Sequence, residues 1–234
     1  MSGFFKPRME ILPPAQQHLW PKLRPALELG FVLYGGTAVA LRLGHRSSVD
    51  FDFFTDKPFD RVVLNSAFPF LNGATVIMDR HDSLTVLVPS GDSVHAHVKV
   101  SFFGTLGFGR VGEPDLTDDG VMQVASLDDL MATKMKVILE RAEAKDYRDI
   151  AAMINAGVSL PKGLASAREM GTYGTLGFQP SESLKALVYF NDGDLHTLTK
   201  EEKNTLVRTA SATRDLPSVK ILSRQFATPL RLNA

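Results

Sequence analysis

The sequence predicts an α/β (α+β) half that runs to about residue 125, followed by a helical half. Three observations carry this. Residues 49–54 alternate apolar and polar side chains, and 74–78, 83–88 and 94–103 are rich in β-branched residues between Asp, Gly and Ser turns, the marks of strands. From Ser126 the spacing becomes helical and stays so. Between the two lies "TDDGVMQVAS", a turn-rich passage that makes a natural boundary, so the expected domains are 1–125 and 126–234.

Leu19, Leu23 and Leu27 recur every four residues and predict a helix over 14–29, ended by Gly30. Residues 31–34 read as a short buried strand. Thr37 to Leu43 reads as a helix with Gly44 as its stop, and Val49 to Phe54 as a strand. Residues 59–67 read as helical. Ala74 to Met78, Ser83 to Val88 and Val94 to Phe103 follow as a meander separated by Asp, Gly and Ser turns, and Met122 to Val124 as a further short strand. "SLDDLMATKMKVILERAEAKDYRDIAAMINAG" opens with Ser126 as N-cap and Asp129 in the place of a capping box. Leu127, Leu130, Met131, Ile138 and Ala142 line one face of it. Further helices are expected near 160–170, 181–190 and 201–213.

Composition narrows the function. The 234 residues carry 26 basic and 26 acidic side chains, so a uniformly basic nucleic-acid coat is excluded as the default, though a local strip of Lys134, Lys136, Arg141, Lys145 and Arg148 remains. There is no cysteine, hence no disulfide and no thiolate metal site. No apolar run approaches the roughly 20 residues of a membrane span, and "MSGFFKPRMEILPP" lacks the apolar core of a signal peptide. The reading is a cytoplasmic protein with no membrane partner.

The chemistry concentrates in "VLYGGTAVALRLGHRSSVDFDFF". On a strand the side chains alternate, so Val49, Phe51 and Phe53 point to one face and Asp50 and Asp52 to the other. Two carboxylates roughly 7 Å apart along a strand repel unless a cation lies between them. Mg²⁺, with Mn²⁺ as the alternative, suits two carboxylates with water and phosphate oxygens completing its shell. Gly35 and Gly36 permit a tight turn and close ligand approach, the next helix offers unpaired N–H groups to phosphate, and Thr37 adds a hydroxyl. A lone Gly-Gly is usually only a turn, and a lone Asp-Phe-Asp a solvated strand face. Their order, strand, Gly-Gly-Thr helix start, returning strand, favours a site.

This segment resembles the DNA polymerase β-like nucleotidyltransferase superfamily, and "GGTAVALRLGHRSSVDFDFF" is most similar to the AbiEii/AbiGii-type toxin nucleotidyltransferase family. "LMATKMKVILERAEAKDYRDI" resembles that family's downstream helical motif. The resemblance implies a mixed sheet flanked by helices with a helical half contributing to the cleft. It implies transfer of an NMP from an NTP to a hydroxyl on tRNA or protein, and a toxin with a cognate antitoxin. Carried over residue by residue, Asp50 and Asp52 hold the metal, and Gly35, Gly36 and Thr37 hold nucleotide phosphates. Lys145 contacts the triphosphate, and Asp146 and Asp149 orient that lysine or serve acid–base chemistry. Lys99 matches a lysine of a later strand. Arg46 pairs with phosphate or with Asp50. Lys134 is either a snorkelling stem or a cation turned to the nucleotide.

One position departs from the pattern. Where nucleotide-transferring relatives carry a third carboxylate, two residues after Lys99, this chain has Ser101. Either the site works with two carboxylates and Asp146 or Asp149 as base, or His95 or His97 serves as base, or turnover is lost. Two rival readings therefore stand beside the transferase toxin: a nucleotide-binding protein without catalysis, and a small-molecule (antibiotic) nucleotidyltransferase.

Overall fold

The computed structural model describes residues 3–58, 60–89, 97–171 and 177–229. The chain forms two compact units. One comprises the residues up to Gly109, Glu113–Ala125 and the chain from Arg224; the other comprises Arg110–Gly112 and Ser126–Ser223.

The first unit contains β1 (Phe4–Phe5), α1 (Pro14–Leu19), α2 (Pro25–Glu28), β2 (Val32–Tyr34), α3 (Gly35–Leu43), β3 (Asp50–Phe54), α4 (Arg61–Ala67), β4 (Thr75–Arg80), β5 (Ser83–Pro89), β6 (His97–Phe103), β7 (Asp115–Thr117) and β8 (Gln123–Val124). The strands make one mixed sheet in the order β1-β7-β8-β2-β3-β6-β5-β4. β3 runs antiparallel to β2 and parallel to β6, and it sits near the middle of the sheet. The fold class read from the sequence is the one observed.

The single helix expected over 14–29 is instead broken into α1, a 3-10 turn over Trp20–Leu23, and α2. Pro21 and Pro25 each lack the N–H that a continuous helix needs. β1 and β7 were not read from the sequence; each has three residues or fewer, too short for an alternation to register. Residues 94–96, expected to begin β6, lie outside the described residues.

The core explains the placement of β3. Phe51 and Phe53 are fully buried on one face, with Trp20 6.2 Å from Phe51, and Phe31 and Phe102 at 6.3 and 5.5 Å from Phe53. Burying each such ring is worth about 1.5–3 kcal/mol, so slipping β3 by one residue is prohibitive: it would drive two carboxylates into this cluster. That locks Asp50 and Asp52 on the opposite face.

The second unit contains α5 (Leu127–Glu140), α6 (Ala144–Asn155), α7 (Leu160–Glu169), α8 (Pro180–Leu187) and α9 (Lys200–Ala212). No helix among the described residues is long and apolar enough to cross a membrane. Ser126 caps α5 as the sequence predicts, its hydroxyl accepting from the Asp129 N–H. The Asp129 carboxylate does not close a capping box. It accepts from the N–H groups of Val111 and Gly112 at 2.7 and 3.2 Å and from the Ser126 hydroxyl at 2.5 Å, pinning the 110–112 segment to α5.

Burial pushes the Asp129 carboxyl up from 3.8 to about 6, against the pull of those hydrogen bonds. Between those values the folded chain keeps a proton that the unfolded chain has released. Stability therefore falls as pH rises from about 4 to about 6, by about 3 kcal/mol from this group. Asp129→Asn removes the ionisation, and the urea midpoint plotted against pH should flatten over that window.

Candidate nucleotide site

α3 starts directly at the end of β2. Gly35 takes φ +74°, a left-handed conformation open to glycine, and this turn converts strand into helix with no connecting loop. The helix cap is Tyr34, which places no side-chain oxygen on the first-turn amides. Gly44 closes the helix at φ +69°, as expected. Asp52 pairs with Tyr34 across the β2–β3 ladder, and a Cβ on Gly35 would come within 2.6 Å of Asp52 Oδ2. The absent side chain is thus what lets the carboxylate and the turn approach each other. Gly35→Ala should push Asp52 aside and add about 1–2 kcal/mol of backbone strain. The expected result is a fall in Mn²⁺ affinity much larger than the fall in melting temperature, read by titration and thermal melting.

Asp50 lies two residues earlier on the same face, partly exposed. Lys99, its register partner on β6, places Nζ 3.3 Å from Asp50 Oδ2. Asp52 stands opposite Ser101, which is 2% exposed. The position expected to carry a third carboxylate is thus a buried hydroxyl beside Asp52. Among the described residues no group of three or more His, Asp or Glu side chains is placed to hold a metal. His97 lies on the same face of β6 two residues before Lys99 and is exposed; His95 lies outside the described residues.

Thr37 does not present its hydroxyl outward. It is 2% exposed, donates to the Asp50 carbonyl, and shares a 2.7 Å hydrogen bond with the Ser48 hydroxyl. Gln16, which sequence reasoning did not single out, donates from Nε2 to the Val49 carbonyl at 2.8 Å. Thr37, Ser48 and Gln16 together fix the entry of β3 and so aim Asp50. No sequence spacing links these three residues; the fold brings them together. Arg46, in the loop before β3, donates to the Ser47 carbonyl at 3.0 Å and is half-exposed.

The second unit holds a distinct charge cluster. Lys134, 5% exposed, places Nζ 2.5 Å from Asp146 Oδ1 and 2.7 Å from Asp149 Oδ2, both aspartates being fully buried. Arg141 adds a second cation 2.9 Å from Asp146 Oδ2. Burial works against ionisation of Asp146, but Lys134 and Arg141 prevail and hold its carboxyl below the usual value. The expectation that Asp146 and Asp149 orient Lys145 is overturned: Lys145 lies on the exposed face of α6 and pairs with Glu143 at 2.8 Å. The lysine they hold is Lys134, whose head group does not snorkel to water.

The model of the family described as nucleotidyl transferase AbiEii toxin, type IV TA system, matches residues 22–219. The chain belongs to this family. An uncharacterized protein of Aquifex aeolicus (strain VF5) is 32% identical over 122 residues, a match covering 51% of this chain and 55% of that protein, so the chain spans about half the length of this relative. Two solved structures share the nucleotidyltransferase fold. An H. pylori protein provisionally assigned as a nucleotidyltransferase superposes with a TM-score of 0.56 at 18% identity, over 84% of this chain and 92% of its own. MenT4, a nucleotidyltransferase toxin of Mycobacterium tuberculosis H37Rv, superposes with a TM-score of 0.54 at 15% identity, over 83% and 82%.

Proposed function

We propose that this AbiEii-family chain is a metal-dependent nucleotidyltransferase that moves an NMP from an NTP to a hydroxyl acceptor and acts as the toxin of a toxin–antitoxin pair in the cytoplasm. The observation that carries the reading is the Asp50–Asp52 pair held on one face of β3 against the Gly35 turn. Two carboxylates on one strand, one of them packed tightly against a turn that has no Cβ, fit a hard divalent cation that takes its remaining ligands from water and phosphate. Mg²⁺ or Mn²⁺ bound there would neutralise phosphate charge and favour in-line displacement at the α-phosphorus.

The chain's own groups complete the arrangement. The first amides of α3, at Gly35 and Gly36, suit a phosphate oxygen. Lys99 supplies a cation directly against Asp50, and Arg46, in the loop before β3, is the second cation this reading assigns to phosphate. The type IV toxin–antitoxin family supports a cognate antitoxin as partner, and the acceptor in this reading is a hydroxyl on tRNA or protein.

The buried Ser101 favours a second reading, nucleotide binding without turnover, because a serine hydroxyl does not replace a carboxylate as ligand or base. One experiment separates the two. Purified protein is incubated with each α-labelled NTP and Mg²⁺, with total tRNA or an aminoglycoside as acceptor, beside the Asp50→Ala/Asp52→Ala variant. Label moving to RNA or protein, and lost in the variant, supports the transferase. Metal-dependent NTP binding without release of pyrophosphate supports the binding protein, and transfer to an aminoglycoside alone supports a small-molecule modifier.

A further inference from the structure

The chain returns to the first unit at its C-terminal end and closes an aromatic cluster on the face that carries Asp50 and Asp52. Phe226 is fully buried. Its ring lies 4.9 Å from Phe108, 5.6 Å from Tyr34 and 6.4 Å from Phe54, edge-on to all three. Tyr34 and Phe54 stack on each other at 4.7 Å with their planes 11° apart. Both belong to the site's framework. Tyr34 precedes Gly35 and faces Asp52 in the ladder, and Phe54 follows Asp52 on the same side of β3.

The returning segment is tied down at three points. The Phe226 N–H donates to Asp56 Oδ1 at 3.2 Å. The buried Gln123 side chain donates to the Thr228 carbonyl and hydroxyl at 2.7 and 3.0 Å and accepts from the Thr228 N–H at 2.9 Å. Arg224 donates to the Gly107 carbonyl at 2.7 Å. These ties hold an irregular segment in one place against the first unit. The segment also lies beyond residues 22–219, the part matched by the family model.

We propose that Phe226 is a positioning residue for the candidate nucleotide site: its ring wedges Tyr34 and Phe54 together and so fixes the spacing between the Gly35 turn and the Asp52 carboxylate. The inference rests on the nucleotidyltransferase reading. Its physical basis is the close fit at Gly35, where even a methyl group has no room beside Asp52. Removing the ring frees the stacked pair to shift within its cavity, and the strand ends that bear the turn and the carboxylate shift with it. Edge-to-face contacts of this kind have directional preferences that a shapeless apolar filler does not reproduce.

The test uses the full chain, with Mn²⁺–tripolyphosphate as a probe that requires no choice of base. Phe226→Ala should weaken binding of the probe by about tenfold, in line with loss of a support that orients metal ligands. It should also speed amide exchange in the peptides containing Gly35–Thr37 and Asp50–Phe54. Phe226→Tyr, which keeps the ring, should recover most of the affinity. Wild-type affinity and exchange in Phe226→Ala, with only a lowered melting temperature, would overturn the proposal and leave Phe226 as packing alone. If Phe226→Ala does not fold, Gln123→Ala releases the segment while keeping every ring; weaker binding supports the proposal, and wild-type binding overturns it. Asp52→Asn serves as the control on the underlying reading. If it binds the probe as the wild type does, the nucleotide-site reading falls and this inference with it. If Asp52→Asn loses binding while Phe226→Ala keeps it, only the inference falls.

Discussion

Asp52→Asn and Asp50→Asn should each reduce nucleotidyl transfer by about a thousandfold, equivalent to about 4 kcal/mol of transition-state stabilisation, while leaving the fold intact. The two halves of that expectation have separate grounds. An amide keeps the shape of the carboxylate and its place on β3, so the Phe51–Phe53 face is undisturbed. It lacks the charge that a divalent cation needs from a donor set of only two carboxylates. Stability should change little at Asp50, because its partner Lys99 is 3.3 Å away and both groups are part-exposed, and pairs of this kind are worth about 0–1 kcal/mol. The measurement is transfer of label from an α-labelled NTP over a Mg²⁺ series, with thermal melting beside it. Activity that survives in both variants would show that the pair does not hold the catalytic metal. Loss of activity with an unchanged melting temperature would place the defect in the chemistry.

The parts of this molecule legible in the sequence are those set by local rules. Alternation placed Asp50 and Asp52 on one face of β3 and the phenylalanines on the other. Gly44 marked the end of α3, and Ser126 the start of α5. The illegible parts depend on contacts far apart in the chain. Thr37 was read as a phosphate ligand because it follows two glycines, yet its hydroxyl is engaged by Ser48 and the Asp50 carbonyl. The lysine held by Asp146 and Asp149 was misassigned for a similar reason. The pairing with Lys145 was carried over from the family's helical motif, and a spacing of four on a helix allows it. But Asp146 and Asp149 share the buried stripe with Ile150 and Met153, and Lys145 does not. A signal was present. Asp146, Asp149, Ile150 and Met153 follow one helical stripe, and Lys134 sits on the apolar stripe of α5 between Leu130 and Ile138. Two stripes interrupted by opposite charges predict a buried ion pair between the helices. The Phe226 segment left no comparable sign, since one phenylalanine in a polar tail carries no period.

Lys134→Met should destabilise the helical unit by about 3–5 kcal/mol, the cost typical of stripping one partner from a buried charge pair. The ammonium is the shared partner of two carboxylates with no exposure to water. Methionine nearly matches the length of the lysine stem and packs well, so the loss is electrostatic and not a cavity. Asp146 keeps Arg141 at 2.9 Å, so the cluster is not stripped of every cation. Adding Asp149→Asn to Lys134→Met should recover part of the loss, because it removes the charge left behind. The pH dependence carries a second signature. Asp146 ionises below the usual carboxylate range in the folded chain, so the stability it contributes is present above the unfolded value and is lost as pH falls through the folded one. In Lys134→Met that acid-side loss should begin at higher pH, because the largest of the charges holding Asp146 ionised is gone. Urea melts at a series of pH values from about 3 to 7 would show it. A Lys134→Met protein as stable as the wild type at neutral pH would mean that the two aspartates are neutral or hydrated, and that Lys134 is not the centre of this cluster.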